Sequence, residues 1–126
     1  MNLLLPVAEL LIVETGKEAI LKKLSENYSI GRSKDSDICL SSRKVSREAA
    51  LLRRTAESYL SFSTDFTKVE CHYQIVDLSR HGICLNGKKI QEYSFLKNGD
   101  LVELPDCHLK YFVLKPHLEN PQSTSL

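Results

Sequence analysis

The feature that most limits what this chain can fold into is the spacing of its apolar runs. They are short, they recur roughly every 8 to 12 positions, and turn-forming residues separate them. An amphipathic helix needs about 10 or more residues of helical periodicity, whereas a strand is complete in about 4 to 8. Strands are therefore predicted over residues 7–14, 19–24, 28–31, 37–40, 49–53, 59–63, 72–78, 83–85, 101–104 and 109–115. Residues 58–63, Ser-Tyr-Leu-Ser-Phe-Ser, alternate polar and apolar as a half-exposed strand does, while 109–114 are denser in apolar residues and belong nearer a core. Asn86-Gly87 stands between two such runs, and this dipeptide suits a type I′ hairpin turn, in which both central residues take positive φ. Asn98-Gly99-Asp100 predicts a second tight turn. One stretch dissents. Residues 47–58 are rich in Ala, Leu, Arg and Glu, and local propensity alone favours a helix there. The strands on either side override that preference, and the predicted architecture is an all-β, two-sheet antiparallel sandwich of about 11 strands.

Bulk properties narrow the function. With 126 residues the chain is the size of one domain. We expect the domain to span residues 1–116 and a polar, disordered tail to occupy 117–126. Lys and Arg number 17 against 16 Asp and Glu, a formal charge of +1, whereas a duplex nucleic-acid binder usually has a marked basic excess. No direct nucleic-acid partner is expected. The apolar opening MNLLLPVAELLIVE is short, contains Pro6 and Glu9, and has no basic residue ahead of it, so neither a secretory signal nor a membrane span is expected. The four cysteines, Cys39, Cys71, Cys84 and Cys107, form no C-x-x-C pair and lie in apolar or strand-like contexts, which predicts reduced, buried thiols and an intracellular setting.

Three polar islands interrupt the strands. Tyr28-Ser-Ile-Gly31-Arg32-Ser33 is followed by Asp35-Ser-Asp37. Lys44-Val-Ser46-Arg47-Glu48-Ala49 comes next. Asp77-Leu-Ser79-Arg80-His81-Gly82 leads into the Asn86-Gly87 hairpin. In order and spacing these islands resemble the forkhead-associated (FHA) domain, with its Gly-Arg at a strand end, its Ser-x-x-His loop, and its Asn-Gly loop ahead of a second Asn-Gly hairpin. Residues 96–104 are similar to the family's closing turn and strand, and the resemblance runs over roughly residues 7–115.

The resemblance implies a non-enzymatic module that grips a phosphothreonine on a partner protein, with no cofactor. It implies that Arg32 is the main phosphate clamp and that the Ser46 hydroxyl points at the phosphate. It also implies that Arg47 meets the phosphate through its backbone N–H, with Lys44 just upstream. Chemistry agrees with such a donor set. A phosphothreonine carries about −1.5 to −2 charge and three strong acceptor oxygens, which call for a guanidinium, hydroxyls and N–H groups on anchored loops. Arg43, Lys44, Arg47, Arg53 and Arg54 make the second island and its surroundings locally basic, although Arg53 and Arg54 are expected to be merely solvated.

Two positions depart from the family pattern. Ala49 stands where relatives carry a histidine that supports the loop, so another group must support it here or the site is looser. His81 stands where relatives carry the asparagine that bonds the peptide backbone, and a protonated His81 would add charge and make binding pH-sensitive. Arg80 replaces a frequent Ser or Thr, and either contacts the phosphate or faces solvent. These departures keep a second reading open, a degenerate FHA scaffold that binds protein or dimerises without phosphate. Arg32→Ala discriminates, because only the reader depends on that side chain.

Three or four charge-assisted hydrogen bonds supply about 5–10 kcal/mol gross, of which ordering the peptide takes back about 2–5. Residues beside the phosphothreonine must supply the rest. The loop after Asn86-Gly87 and the Gln91-Glu92-Tyr93 segment are candidate readers of those neighbours. Relatives often act in nuclear signalling, including DNA-damage response and cell-cycle control. An enzyme is not expected, since the sequence has neither a nucleophile elbow nor a glycine-rich nucleotide loop. Cys71-His72 and Cys107-His108 do not read as a zinc site, because neighbours on a strand face opposite ways.

Overall fold

A computed structural model of the chain describes residues 5–55 and 72–114. The alternation seen in the sequence becomes the inner face of two packed sheets. The first sheet has the order β2-β1-β11-β10-β7-β8 and the second the order β4-β3-β5-β6-β9. The strands of the first sheet are β1 (Ala8–Glu14), β2 (Ile20–Leu24), β7 (Cys84–Leu85), β8 (Lys88–Lys89), β10 (Leu101–Leu104) and β11 (Cys107–Val113). Those of the second are β3 (Tyr28–Gly31), β4 (Ile38–Cys39), β5 (Ala50–Arg54), β6 (Tyr73–Asp77) and β9 (Tyr93–Phe95).

Every second residue of β1 is buried (Ala8, Leu10, Ile12), and β11 answers with Cys107, Leu109 and Tyr111. From the second sheet, Ile30, Ala50, Leu52, Tyr73 and Ile75 complete the same core. Tyr73 on β6 meets Tyr111 on β11 edge to face, with ring centroids 6.2 Å apart, a geometry that suits the aromatic quadrupoles. The Tyr73 hydroxyl donates to the Glu26 carbonyl at 2.7 Å, and burial pushes this phenol well above its ordinary range.

The predicted helical tendency of residues 47–58 loses to tertiary pairing at Ala50–Arg54, where β5 lies between β3 and β6 and pairs with both. The Asn86-Gly87 hairpin forms as predicted, with φ of 52° and 88° at its two central residues. Three expectations change. The sheets are not wholly antiparallel, because β3 and β4 run parallel, Ile30 beside Ile38. The chain makes no hairpin there: the Arg32 and Ser33 N–H groups are taken by the Ser46 and Arg47 carbonyls. Strand β9 was not foreseen. It is three residues long, begins after Glu92 at positive φ (62°), and pairs with the edge of β6. The thiols are not uniformly buried: Cys39 is exposed and Cys84 half-buried, and only Cys107 is buried among the described residues. Burial, with the Glu14 carboxylate adding to it, pushes the Cys107 thiol up to about 12. The strand predicted over 59–63, Cys71 and the predicted tail at 117–126 lie outside the described residues.

Candidate anion-binding site

Strands β3, β5 and β6 deliver three loops to one end of the second sheet: residues 32–37, 40–49 and 78–83. The first two are joined by backbone. Besides the two bonds already given, the Ala49 N–H donates to the Ile30 carbonyl at 2.9 Å and the Leu40 N–H to the Gly31 carbonyl at 2.8 Å. This approach is possible because residue 31 is glycine, since a Cβ there would overlap the Arg47 carbonyl oxygen. The third loop is tied in by the Leu78 N–H to the Ala49 carbonyl at 2.9 Å.

Within this frame Arg32 leaves the end of β3 with its Nε donating to the Val45 carbonyl at 2.9 Å. That bond fixes the plane of the guanidinium, while neither terminal nitrogen has a partner among the described residues. The Ser46 hydroxyl accepts a hydrogen bond from the Arg80 N–H at 3.1 Å. Its own proton is thereby left to donate. The third loop is stiffened internally: Asp77 Oδ1 accepts from the Ser79 N–H and hydroxyl at 2.8 and 2.6 Å, and Ser79 Oγ accepts from the Gly82 N–H at 2.8 Å. Gly82 has φ of 91°, which favours glycine at this corner.

The loops enclose a cleft of about 800 Å³ whose lining includes all six residues singled out in the sequence: Arg32, Lys44, Ser46, Arg47, Arg80 and His81. Arg43, Ser33, Asp35, Glu48 and Leu78 also line it. Five cations face two carboxylates there, so the cleft is strongly basic although the chain is nearly neutral. Neither Leu78 nor Asp35 was singled out as a site residue in the sequence. Arg53 and Arg54 lie elsewhere. Arg53 grips Gln74 Oε1 through Nε and Nη2 at 2.9 and 2.7 Å, and Arg54 donates to the Ser25 carbonyl at 2.7 Å. Gln91, Glu92 and Tyr93 do not line the cleft, and Tyr93 opens the edge strand β9.

Ala49 is fully buried at the base of the loops. The space beside it, bounded by Ser46, Ser79, His81 and Ile83, measures about 10 Å³, room for one water and not for an imidazole. Cross-loop support comes from the Arg80–Ser46 and Leu78–Ala49 bonds, and the Asp77–Ser79–Gly82 bonds stiffen the third loop within itself. Among the described residues no cluster of three or more His, Cys, Asp or Glu is placed to hold a metal, and no helix is long and apolar enough to cross a membrane.

A rigid two-sheet sandwich with clustered cations on loops at one end defines a binding module for an anionic group. The particular family follows from comparison: the chain belongs to the FHA domain family, whose model matches residues 28–105. Strands β1, β2 and β11 lie outside that match and complete the first sheet. No curated protein shows significant similarity to the chain.

Solved structures share the fold. EmbR of Mycobacterium tuberculosis, in complex with a low-affinity phosphopeptide, is 26% identical with a TM-score of 0.66, over 89% of this chain and 26% of that one. This chain thus spans about a quarter of EmbR's length. Slr1951 of Synechocystis sp. is 29% identical with a TM-score of 0.68, over 86% of this chain and 99% of that one. The yeast Dun1 FHA domain, in complex with a doubly phosphorylated peptide, is 19% identical with a TM-score of 0.66, over 100% of this chain and 87% of that one.

Proposed function

We propose that this domain is a phosphothreonine-peptide reader acting in phosphorylation-dependent signalling, and that it binds rather than catalyses. The observation that carries the reading is the Arg32 guanidinium, braced on the Val45 carbonyl in a cleft lined by four further cations. A dianionic phosphate gains most from donors held in place before it arrives, because little ordering is then left to oppose binding. Ser46 supplies a hydroxyl proton and the Arg47 backbone an N–H. Arg43, Lys44 and Arg80 raise the local anion concentration and speed association. His81, which lines the same cleft, is the candidate to bond the peptide backbone beside the phosphate.

Phosphopeptides are bound by EmbR and by the yeast Dun1 domain in the structures named above, and these neighbours come from bacteria as well as yeast. The proposal is therefore made at the level of phosphorylation-dependent interaction inside the cell. A nuclear, DNA-damage or cell-cycle setting is a narrower form of it.

The test is capture of a degenerate phosphothreonine peptide library beside its unphosphorylated twin, with Arg32→Ala as control. Loss of charge-assisted hydrogen bonds worth roughly 1.5–3 kcal/mol each predicts a fall in affinity of at least tenfold in the variant. Equal capture of both libraries by the wild-type domain would overturn the reading in favour of a phosphate-independent scaffold.

A further inference from the structure

The outer face of the second sheet carries a depression next to the cleft. Register places Ser29, Leu51, Val76 and Tyr93 in one cross-strand row, on the side opposite the core residues Ile30, Leu52 and Ile75. At one end of this row lies a groove of about 320 Å³ with apolar walls from Leu51 and Leu78 and with Asp35 and Glu48 at its edge. It is continuous with the cleft, since Ser33, Asp35, Glu48 and Leu78 line both. Leu78 is 51% exposed at the junction, a large apolar side chain left uncovered between the two. The carboxylates of Asp35 and Glu48 are exposed, and neither takes a hydrogen bond or ion pair among the described residues.

We infer that this groove receives the side chain of a lysine or arginine flanking the phosphothreonine of the bound peptide. The inference rests on reading the cleft as the phosphothreonine site. A lysine or arginine has the matching form, an apolar stem to lie along Leu51 and Leu78 and a cationic head to reach the two carboxylates. Charge makes the choice sharp. The cleft sets five cations against Asp35 and Glu48 and so disfavours a basic residue, whereas the groove is lined by the same two carboxylates and by no Lys or Arg. An acidic residue directed to the same place meets Asp35 and Glu48 and is rejected. Discrimination built from attraction and repulsion together exceeds what either supplies alone. The occupant belongs to the peptide because groove and cleft share their lining, so one extended segment crosses both.

The experiment is positional scanning of phosphothreonine peptides against the full chain, beside unphosphorylated twins, with wild type, Arg32→Ala and the double variant Asp35→Asn/Glu48→Gln. Folding of each is checked by thermal unfolding. Wild type is expected to prefer Lys or Arg over Asp or Glu by about three- to tenfold at one flanking position, as two exposed ion pairs allow. The double variant should bring that ratio close to one while capture stays phosphate-dependent. Phosphate-dependent capture with no basic preference, or a preference that survives in the double variant, overturns this inference alone. Absence of any phosphate-dependent capture by wild type overturns it together with the proposed function.

Discussion

At the scale of single residues, the site depends on groups that act in pairs. Ser46 accepts the Arg80 N–H and keeps its proton for a ligand, so Ser46→Ala removes a donor and unties two loops at once. Its expected effect is roughly a tenfold loss of phosphopeptide affinity, about 1.4 kcal/mol, measurable by titration calorimetry. Gly31 acts through what it lacks. Gly31→Ala forces a methyl group against the Arg47 carbonyl and is expected to cost about 1–3 kcal/mol, as overpacking does. Thermal unfolding should show the lower Tm, and binding should weaken further than stability alone requires because the Arg32 and Ser46 loops are pushed apart.

Which residues would line the cleft was largely legible in the sequence. Arg32, Lys44, Ser46, Arg47, Arg80 and His81 all line it, because strand ends and turn chemistry are local signals, and the loops after β3 and β6 and before the antiparallel β5 share one end of the second sheet. Asp35, Glu48 and Leu78 were not legible as site residues. Their meaning depends on a groove formed by separate strands, and no local pattern encodes it.

At the scale of elements, β5 shows how packing decides a segment whose own composition is ambiguous. Ala50 and Leu52 face the core, and β3 and β6 take the backbone groups on either side. A helix would leave those neighbours' backbone groups unpaired, and each such buried group costs about 1–3 kcal/mol. Leu52→Ala should therefore destabilise the whole domain by about 2–5 kcal/mol, seen as an earlier midpoint in denaturant unfolding. Strand β9 shows the opposite case. Its three residues are exposed or half-buried, so no core periodicity marks them, and only the neighbouring β6 makes them a strand.

At the scale of the molecule, two sheets share a single core, and Cys107 reports on its integrity. The thiol is buried and free, with its ionisation pushed up to about 12 from 9.0. A folded-state value above the unfolded one means that the associated stability is complete below pH 9.0 and is lost as pH rises toward about 12. Unfolding midpoints measured across that window should fall with pH, and less steeply in Cys107→Ala. At neutral pH a maleimide should label exposed Cys39 in the native protein and reach Cys107 only after unfolding, with the labelled sites mapped by peptide mass.

By itself the sequence determined most of the strands among the described residues, the Asn86-Gly87 hairpin and the identity of the clustered cations. Alternation, positive-φ turns and charge are properties of short segments and survive without knowledge of what packs where. Tertiary structure alone decided that β3 and β4 run parallel, that Arg32 rests on the Val45 carbonyl, and that the basic cleft opens onto an acid-edged apolar groove. Each of these joins residues far apart in the chain, and the contacts that fix them exist only once both sheets have closed over one core.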